Sequence, residues 1–169
     1  FRQMAQDGVR RVLALILAAH HSYSSCGQYK QNVVQARETI QGEGRGDLEV
    51  TYVKGWHTHE GFIEANACQI SAARETLPPD RKASARLIFT AHSIPLSMAA
   101  ESRYEAELKE TASLVAERLA INDWDLVFQS RSGRPEDPWL EPDICDYLRM
   151  EQAKGLTAVV VSPIGFVAD

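Results

Sequence analysis

The chain has 169 residues, enough for one sizeable domain or for part of a larger protein. Its hydrophobic fraction of 44% and charged fraction of 24% are ordinary for a globular protein and argue against disorder. The net charge of −5 argues against a nucleic-acid partner, because phosphate binding requires a basic surface.

The first third of the chain predicts two helices and two strands in alternation. An amphipathic helical pattern covers residues 1–9, and the apolar run over 11–18 predicts a buried strand. A helical pattern over 26–40 follows, and the turn GEGRGD leads to a second strand over 48–53. No apolar run reaches the roughly 18 residues that a transmembrane helix needs.

The middle of the chain continues the alternation. A helix is predicted over residues 60–77, where Pro78 and Pro79 stop it. The third strand covers 85–91, and the next helix covers 98–120 with its leucines spaced for one apolar face.

The last part of the chain completes the pattern with a strand over 125–130, a helix over 140–154 and a strand over 157–163. Five strands that alternate with helices predict an α/β fold, with a parallel sheet flanked by helices and right-handed crossovers. We find no linker and no internal repeat, so residues 1–169 are predicted to form a single α/β region.

The histidines mark a predicted binding face. In open parallel sheets, ligands bind at the carboxyl ends of the strands. The loops that leave the predicted strands carry all five histidines, which are His20, His21, His57, His59 and His92. His92 directly follows the third strand, so it is the first candidate for chemistry. The alternative is that a strand-end histidine only makes a structural hydrogen bond.

Other candidates have equally plain alternatives. His57 and His59 in an extended segment have a spacing that allows metal chelation, although no third ligand is obvious. Cys26 is either a ligand or a small buried side chain, and Cys68 and Cys145 are predicted to pack within helices. Three cysteines without paired spacing make no disulfide framework, so a cytoplasmic location is expected.

Four sequence blocks in order resemble the ferrochelatase family: FTAHSIP, YEAELKETASLVAERL, FQSRSGRPEDPWLEPDI and VVVSPIGFVAD. The segments SYSSCGQY and GWHTHEGFI add to the resemblance, which covers nearly the whole chain. It implies a chelatase-like fold of two similar Rossmann-like lobes, with mostly the second lobe here and a connecting helix at residues 1–9. The chain opens on Phe1 and closes within a loop, so it is expected to be the middle of a longer protein.

The resemblance also implies an activity. Ferrochelatases insert Fe²⁺ into a porphyrin in haem biosynthesis, and coproporphyrin III is the favoured substrate here, with protoporphyrin IX as the second choice. A peripheral membrane contact and the oligomeric state stay open. The alternatives are a haem or metal carrier without catalysis on the same scaffold, and a chelatase for cobalt or nickel.

Five residues acquire expected roles through the resemblance. His92 matches the family's essential histidine, which binds the metal or accepts pyrrole protons. Tyr29, Trp139 and Phe166 match residues that contact the porphyrin. Cys26 matches a cysteine that ligates a [2Fe–2S] cluster in actinobacterial-type members. The family's partner glutamate follows the last block, beyond Asp169.

Overall fold

The computed structural model describes residues 1–134 and 136–167, where every predicted strand and helix has a counterpart. The helices are α1 (Arg2–Gln6), α2 (Gln28–Gly42), α3 (Glu60–Glu75), α4 (Pro79–Lys82), α5 (Leu96–Ala100), α6 (Tyr104–Arg118) and α7 (Ile144–Ala153). The strands are β1 (Arg11–Ala14), β2 (Glu49–Tyr52), β3 (Arg86–His92), β4 (Trp124–Gln129) and β5 (Val159–Ser162). A π-helix over Tyr23–Gly27 precedes α2. Of the helices described, none has the length and apolar character needed to cross a membrane.

Several boundaries differ from the prediction. β1 ends at Ala14 instead of residue 18, because the last hydrogen bond to its neighbour joins the main-chain nitrogen of Val53 to the oxygen of Ala14. The predicted helix over 98–120 is divided into α5 and α6. The Ser102 hydroxyl accepts from the main-chain nitrogen of Tyr104 at the break, which is a typical competition of serine with helical bonding.

The strands form two parallel sheets, which corrects the expectation of a single sheet. β1 pairs with β2, and β3 lies between β4 and β5. Both edges of β3 are occupied, so the β1–β2 pair has no free edge of β3 to join. The parallel arrangement and the flanking helices are as predicted.

The three-stranded sheet is buried on both faces, as the continuous apolar run of β3 predicts. Leu87 and Phe89 pack on one face with residues of α3 and α6. Ile88 faces the opposite side, where it packs with Val127 of β4 and Tyr147 of α7. The sheet is therefore a rigid support, and its carboxyl edge is where His92 lies.

Candidate functional site

His92 is the last residue of β3, and its side chain is exposed at the end of the sheet. Its Nδ1 lies 2.6 Å from the main-chain oxygen of Ser93. A carbonyl oxygen only accepts, so Nδ1 carries the proton, and the lone pair of the neutral ring is on Nε2. The phenol of Tyr104 donates to the main-chain oxygen of His92 at 3.0 Å. Hydrogen bonds with neighbouring groups therefore hold both the ring and the main chain of His92 in place.

A cavity of about 460 Å³ lies in front of His92. Its walls come from the loops that follow four of the strands: His20 after β1, Ile94 after β3, Trp139 after β4 and Gly165 after β5. The structure therefore has a cavity at the edge where the sequence predicts a binding face.

Hydrogen bonds between two loops fix the wall that carries Trp139. The main-chain nitrogen of Ser93 donates to the oxygen of Gln129, and its hydroxyl donates to the oxygen of Leu140, both at 2.8 Å. The nitrogen of Leu140 donates in return to the oxygen of Ile94 at 3.0 Å. Because Trp139 immediately precedes Leu140, its position is tied to the loop that follows His92.

Gly165 allows the loop after β5 to approach the end of β3. Its main-chain nitrogen donates to the oxygen of Thr90 at 3.2 Å. A Cβ at this position would lie 2.6 Å from Cβ and 2.8 Å from Cα of Ala91, closer than any real packing contact. Only glycine fits without displacing the segment that presents His92. Phe166 follows at once and is partly buried, although its side chain does not line the cavity.

Tyr29 lies elsewhere. It is on α2, is 57% exposed, and lines a separate cavity of about 580 Å³ with Leu15 and Leu17. The structure therefore brings His92 and Trp139 together at one cavity, places Phe166 next to it, and does not bring Tyr29 to it.

Cys26 has no cysteine neighbour with which to hold a cluster. Its Sγ donates to the main-chain oxygen of Ser22 at 3.4 Å. Cys68 and Cys145 are exposed on α3 and α7, so the prediction that they pack internally is wrong. No group of three histidine, cysteine, aspartate or glutamate side chains in the described ranges is arranged to hold a metal ion. The residues present do not fit the iron–sulfur cluster expected at Cys26.

His57 and His59 do not converge on a metal. Nε2 of His57 lies 2.9 Å from a carboxylate oxygen of Glu110. Nδ1 of His59 accepts from the main-chain nitrogen of Gly61 and caps the start of α3. The two rings have separate structural partners, so the alternative of a chelating pair has no geometric support.

One face of α6 positions three groups of the site, which sequence reasoning missed. Tyr104, Glu107 and Thr111 are spaced as one helical stripe. Thr111 Oγ1 lies 2.9 Å from Nε2 of His20, which is 3% exposed and lines the cavity with His92. Burial, followed by the nearby charge of His57, lowers the pKa of His20 to about 4, and burial raises the pKa of Tyr104 to about 12.

Glu107 ties the loop after β1 to α6. Its carboxylate accepts from the main-chain nitrogen of His21 at 2.7 Å and lies 2.9 Å from the ring Nδ1. Burial raises the pKa of this carboxyl, but the hydrogen bonds from His21 outweigh it, so the pKa is below its ordinary value. Gly55 leaves room for the His21 ring, which a Cβ there would overlap. The signal available in the sequence was the pair of adjacent histidines at a strand end.

Together, the fold and the site define an α/β protein with a cavity at the ends of its strands that histidines line. A sequence profile of the family described as Ferrochelatase matches residues 1–169. The chain therefore belongs to the ferrochelatase family, as the resemblance predicted.

Three relatives illustrate the similarity. The chain is 46% identical to the ferrochelatase of Rhodopirellula baltica over 169 residues, which cover 99% of the chain and 47% of that relative. It is 39% identical over 183 residues to the coproporphyrin III ferrochelatase of Streptomyces griseus, covering 99% of the chain and 49% of the relative. The protein of that name from Nocardia farcinica is 41% identical over 175 residues, with the same two coverages. The chain spans about half the length of the curated relatives it matches.

Proposed function

We propose that the intact protein is a lyase that inserts Fe²⁺ into a porphyrin as a step of haem biosynthesis. The observation that carries the proposal is the imidazole of His92, whose Nε2 has no hydrogen-bond partner among the described residues and which lines a cavity together with Trp139. Family membership and the names of the relatives support the reaction type.

The chemistry explains why an imidazole belongs there. The two inner pyrrole protons of a porphyrin must leave, and hydrated Fe²⁺ must exchange water for ring nitrogens. A neutral imidazole, with an ordinary pKa of about 6.5, accepts a proton near neutral pH and is also a good ligand for Fe²⁺. One nitrogen performs one of these roles at a time, and Nε2 of His92 is suited to either.

Coproporphyrin III is the proposed substrate, because several of the relatives carry that name, with protoporphyrin IX as the second candidate. Trp139 would cover one face of the macrocycle. Its Nε1 is buried and has no hydrogen-bond partner within residues 1–134 and 136–167. For Phe166 and Tyr29, porphyrin contact rests on the resemblance.

We propose further that the chain is the central part of a two-lobed protein. Leu13 and Leu17 are 73% and 70% exposed on the β1 side, which fits a sheet that is incomplete within these residues. On this proposal β1 and β2 belong to one lobe, while β3, β4 and β5 form the sheet of the second. The free cysteines fit a reducing, cytoplasmic location.

The test is an anaerobic assay of the intact protein with Fe²⁺ and either porphyrin, in which metallation is monitored by the change in porphyrin absorption. We expect turnover in the wild type, and a loss of at least about 100-fold in His92→Ala with porphyrin binding retained. The matched control is His59→Gln, which removes a histidine outside the cavity and should keep turnover. A protein that binds the porphyrin without turnover is a carrier, and one that turns over only Co²⁺ or Ni²⁺ is a different chelatase. Either result overturns the proposal.

A further inference from the structure

We propose that His20 is a second nitrogen donor for the divalent metal in the cavity that contains His92. The inference rests on the proposed function, since the metal is the substrate of that reaction. The other coordination positions would be taken by water and then by the porphyrin nitrogens.

The location of His20 is the first argument. His20 is 3% exposed and is one of the residues that line the cavity together with His92. Tyr104 contacts both residues, because its phenol donates to the main-chain oxygen of His92 and its ring contacts the His20 ring edge-on, with centroids 6.4 Å apart. Phe62 contacts another side of the His20 ring at 6.2 Å. The imidazole is therefore held in one orientation beside the cavity.

The hydrogen bonds of Thr111 assign the tautomer. Its hydroxyl lies 3.0 Å from the main-chain oxygens of His57 and Glu107, and either of them accepts its proton. The hydroxyl oxygen then accepts from Nε2–H of His20 at 2.9 Å, so the lone pair is on Nδ1. Among the described residues Nδ1 has no hydrogen-bond partner, and it is not one of the fully buried side-chain atoms that lack one, so it retains some exposure.

This arrangement is typical of a metal-ligating histidine. Such a residue donates its second ring nitrogen to a fixed acceptor, which sets the tautomer and the ring orientation. Imidazole suits Fe²⁺ and its neighbours in the first transition series.

Cobalt binding tests the inference without porphyrin. Co²⁺ replaces Fe²⁺ as a probe with visible d–d absorption and is titrated anaerobically into the intact protein. We expect His20→Phe, which keeps an aromatic ring in the packed position, to weaken Co²⁺ binding by at least about 10-fold. His59→Gln should bind Co²⁺ as the wild type does. Equal affinity in His20→Phe and the wild type overturns the inference.

A measurement on the unaltered protein removes the dependence on folding of the variant. Zn²⁺ is added to protein labelled with ¹⁵N in histidine, and the ring resonances are followed by NMR. We expect the Nδ1 resonance of His20 to shift while Nε2 keeps its proton. An unchanged Nδ1 resonance at saturating Zn²⁺ overturns the inference.

The two proposals fail separately. If Co²⁺ and Zn²⁺ bind through His20 but the wild type produces no metalloporphyrin, the proposed function is wrong and the metal site stands. If metalloporphyrin forms while His20→Phe binds Co²⁺ normally, the metal site is wrong and the proposed function stands.

Discussion

Replacing Gly165 with alanine tests how closely the geometry of His92 depends on its neighbours. The new Cβ would lie 2.6 Å from Cβ and 2.8 Å from Cα of Ala91, whereas carbon atoms prefer about 3.5–4.0 Å. The clash includes main chain, so no side-chain rotation relieves it. One of the two segments must move by about 1 Å, with an expected cost of about 1–3 kcal/mol in the free energy of unfolding.

The movement should also reach the reaction, because Ala91 immediately precedes His92. A displacement of about 1 Å at a reacting group can lower a rate by about 100-fold. Urea denaturation and the anaerobic metallation assay measure the two effects on intact protein. Gly42→Ala is the matched control, since a Cβ there meets nothing within 4 Å and the residue ends α2. That variant should be unchanged or slightly more stable.

A double variant identifies the contact responsible. Adding Ala91→Gly to Gly165→Ala removes the Cβ–Cβ contact and leaves the contact with Cα. We therefore expect part of the stability and part of the turnover to return. If Gly165→Ala matches Gly42→Ala in both stability and turnover, the close approach of the two segments does not position His92 and the reasoning is refuted.

Three further predictions concern stability, and each is measured by urea denaturation. Acidification from pH 7 to 5 should lower the free energy of unfolding by about 2 kcal/mol through His20, because this residue takes up a proton near pH 6.5 in the unfolded chain but only near pH 4 in the folded chain. His20→Gln should reduce the pH dependence of stability by that amount. An equal pH dependence in the variant and the wild type contradicts the assignment. Phe89→Ala should cost about 3–5 kcal/mol, since the ring is fully buried, whereas Met150→Ala at an exposed position should stay within about 0.5 kcal/mol. Ser93→Ala should cost about 1–2 kcal/mol by removing the bond to Leu140, and an unchanged value would show that this bond does not stabilise the loop.

The strands were predictable where burial dictates the pattern. β3 is enclosed on both faces, so its residues are continuously apolar and its position follows from the sequence. The division into two sheets was not predictable, because an apolar strand gives no information on its hydrogen-bonding neighbour. The apolar sequence of β1 predicts a buried strand, yet the Leu13 side chain is largely exposed.

The site was predictable in part for a similar reason. His92 ends β3 and Trp139 lies in the loop after β4 of the same sheet, and topology alone places such residues at the same edge. Tyr29 is separated from them because it lines a different cavity, which includes residues of β1 and β2 in the other sheet. The role of His20 depends on Thr111, which is 91 positions away in the sequence, and no local pattern reports such a pair.

The stripe of Tyr104, Glu107 and Thr111 on α6 makes one helix responsible for three histidine contacts. A small rotation of α6 about its axis would shift all three contacts in the same sense, so the positions of the three histidines are coupled through that helix. Substitutions on the opposite face of α6 that change how the helix packs would then alter the histidine positions without contacting them. Their effect on the two sides of the cavity would be concerted, and a compensating change would have to restore the helix as a whole.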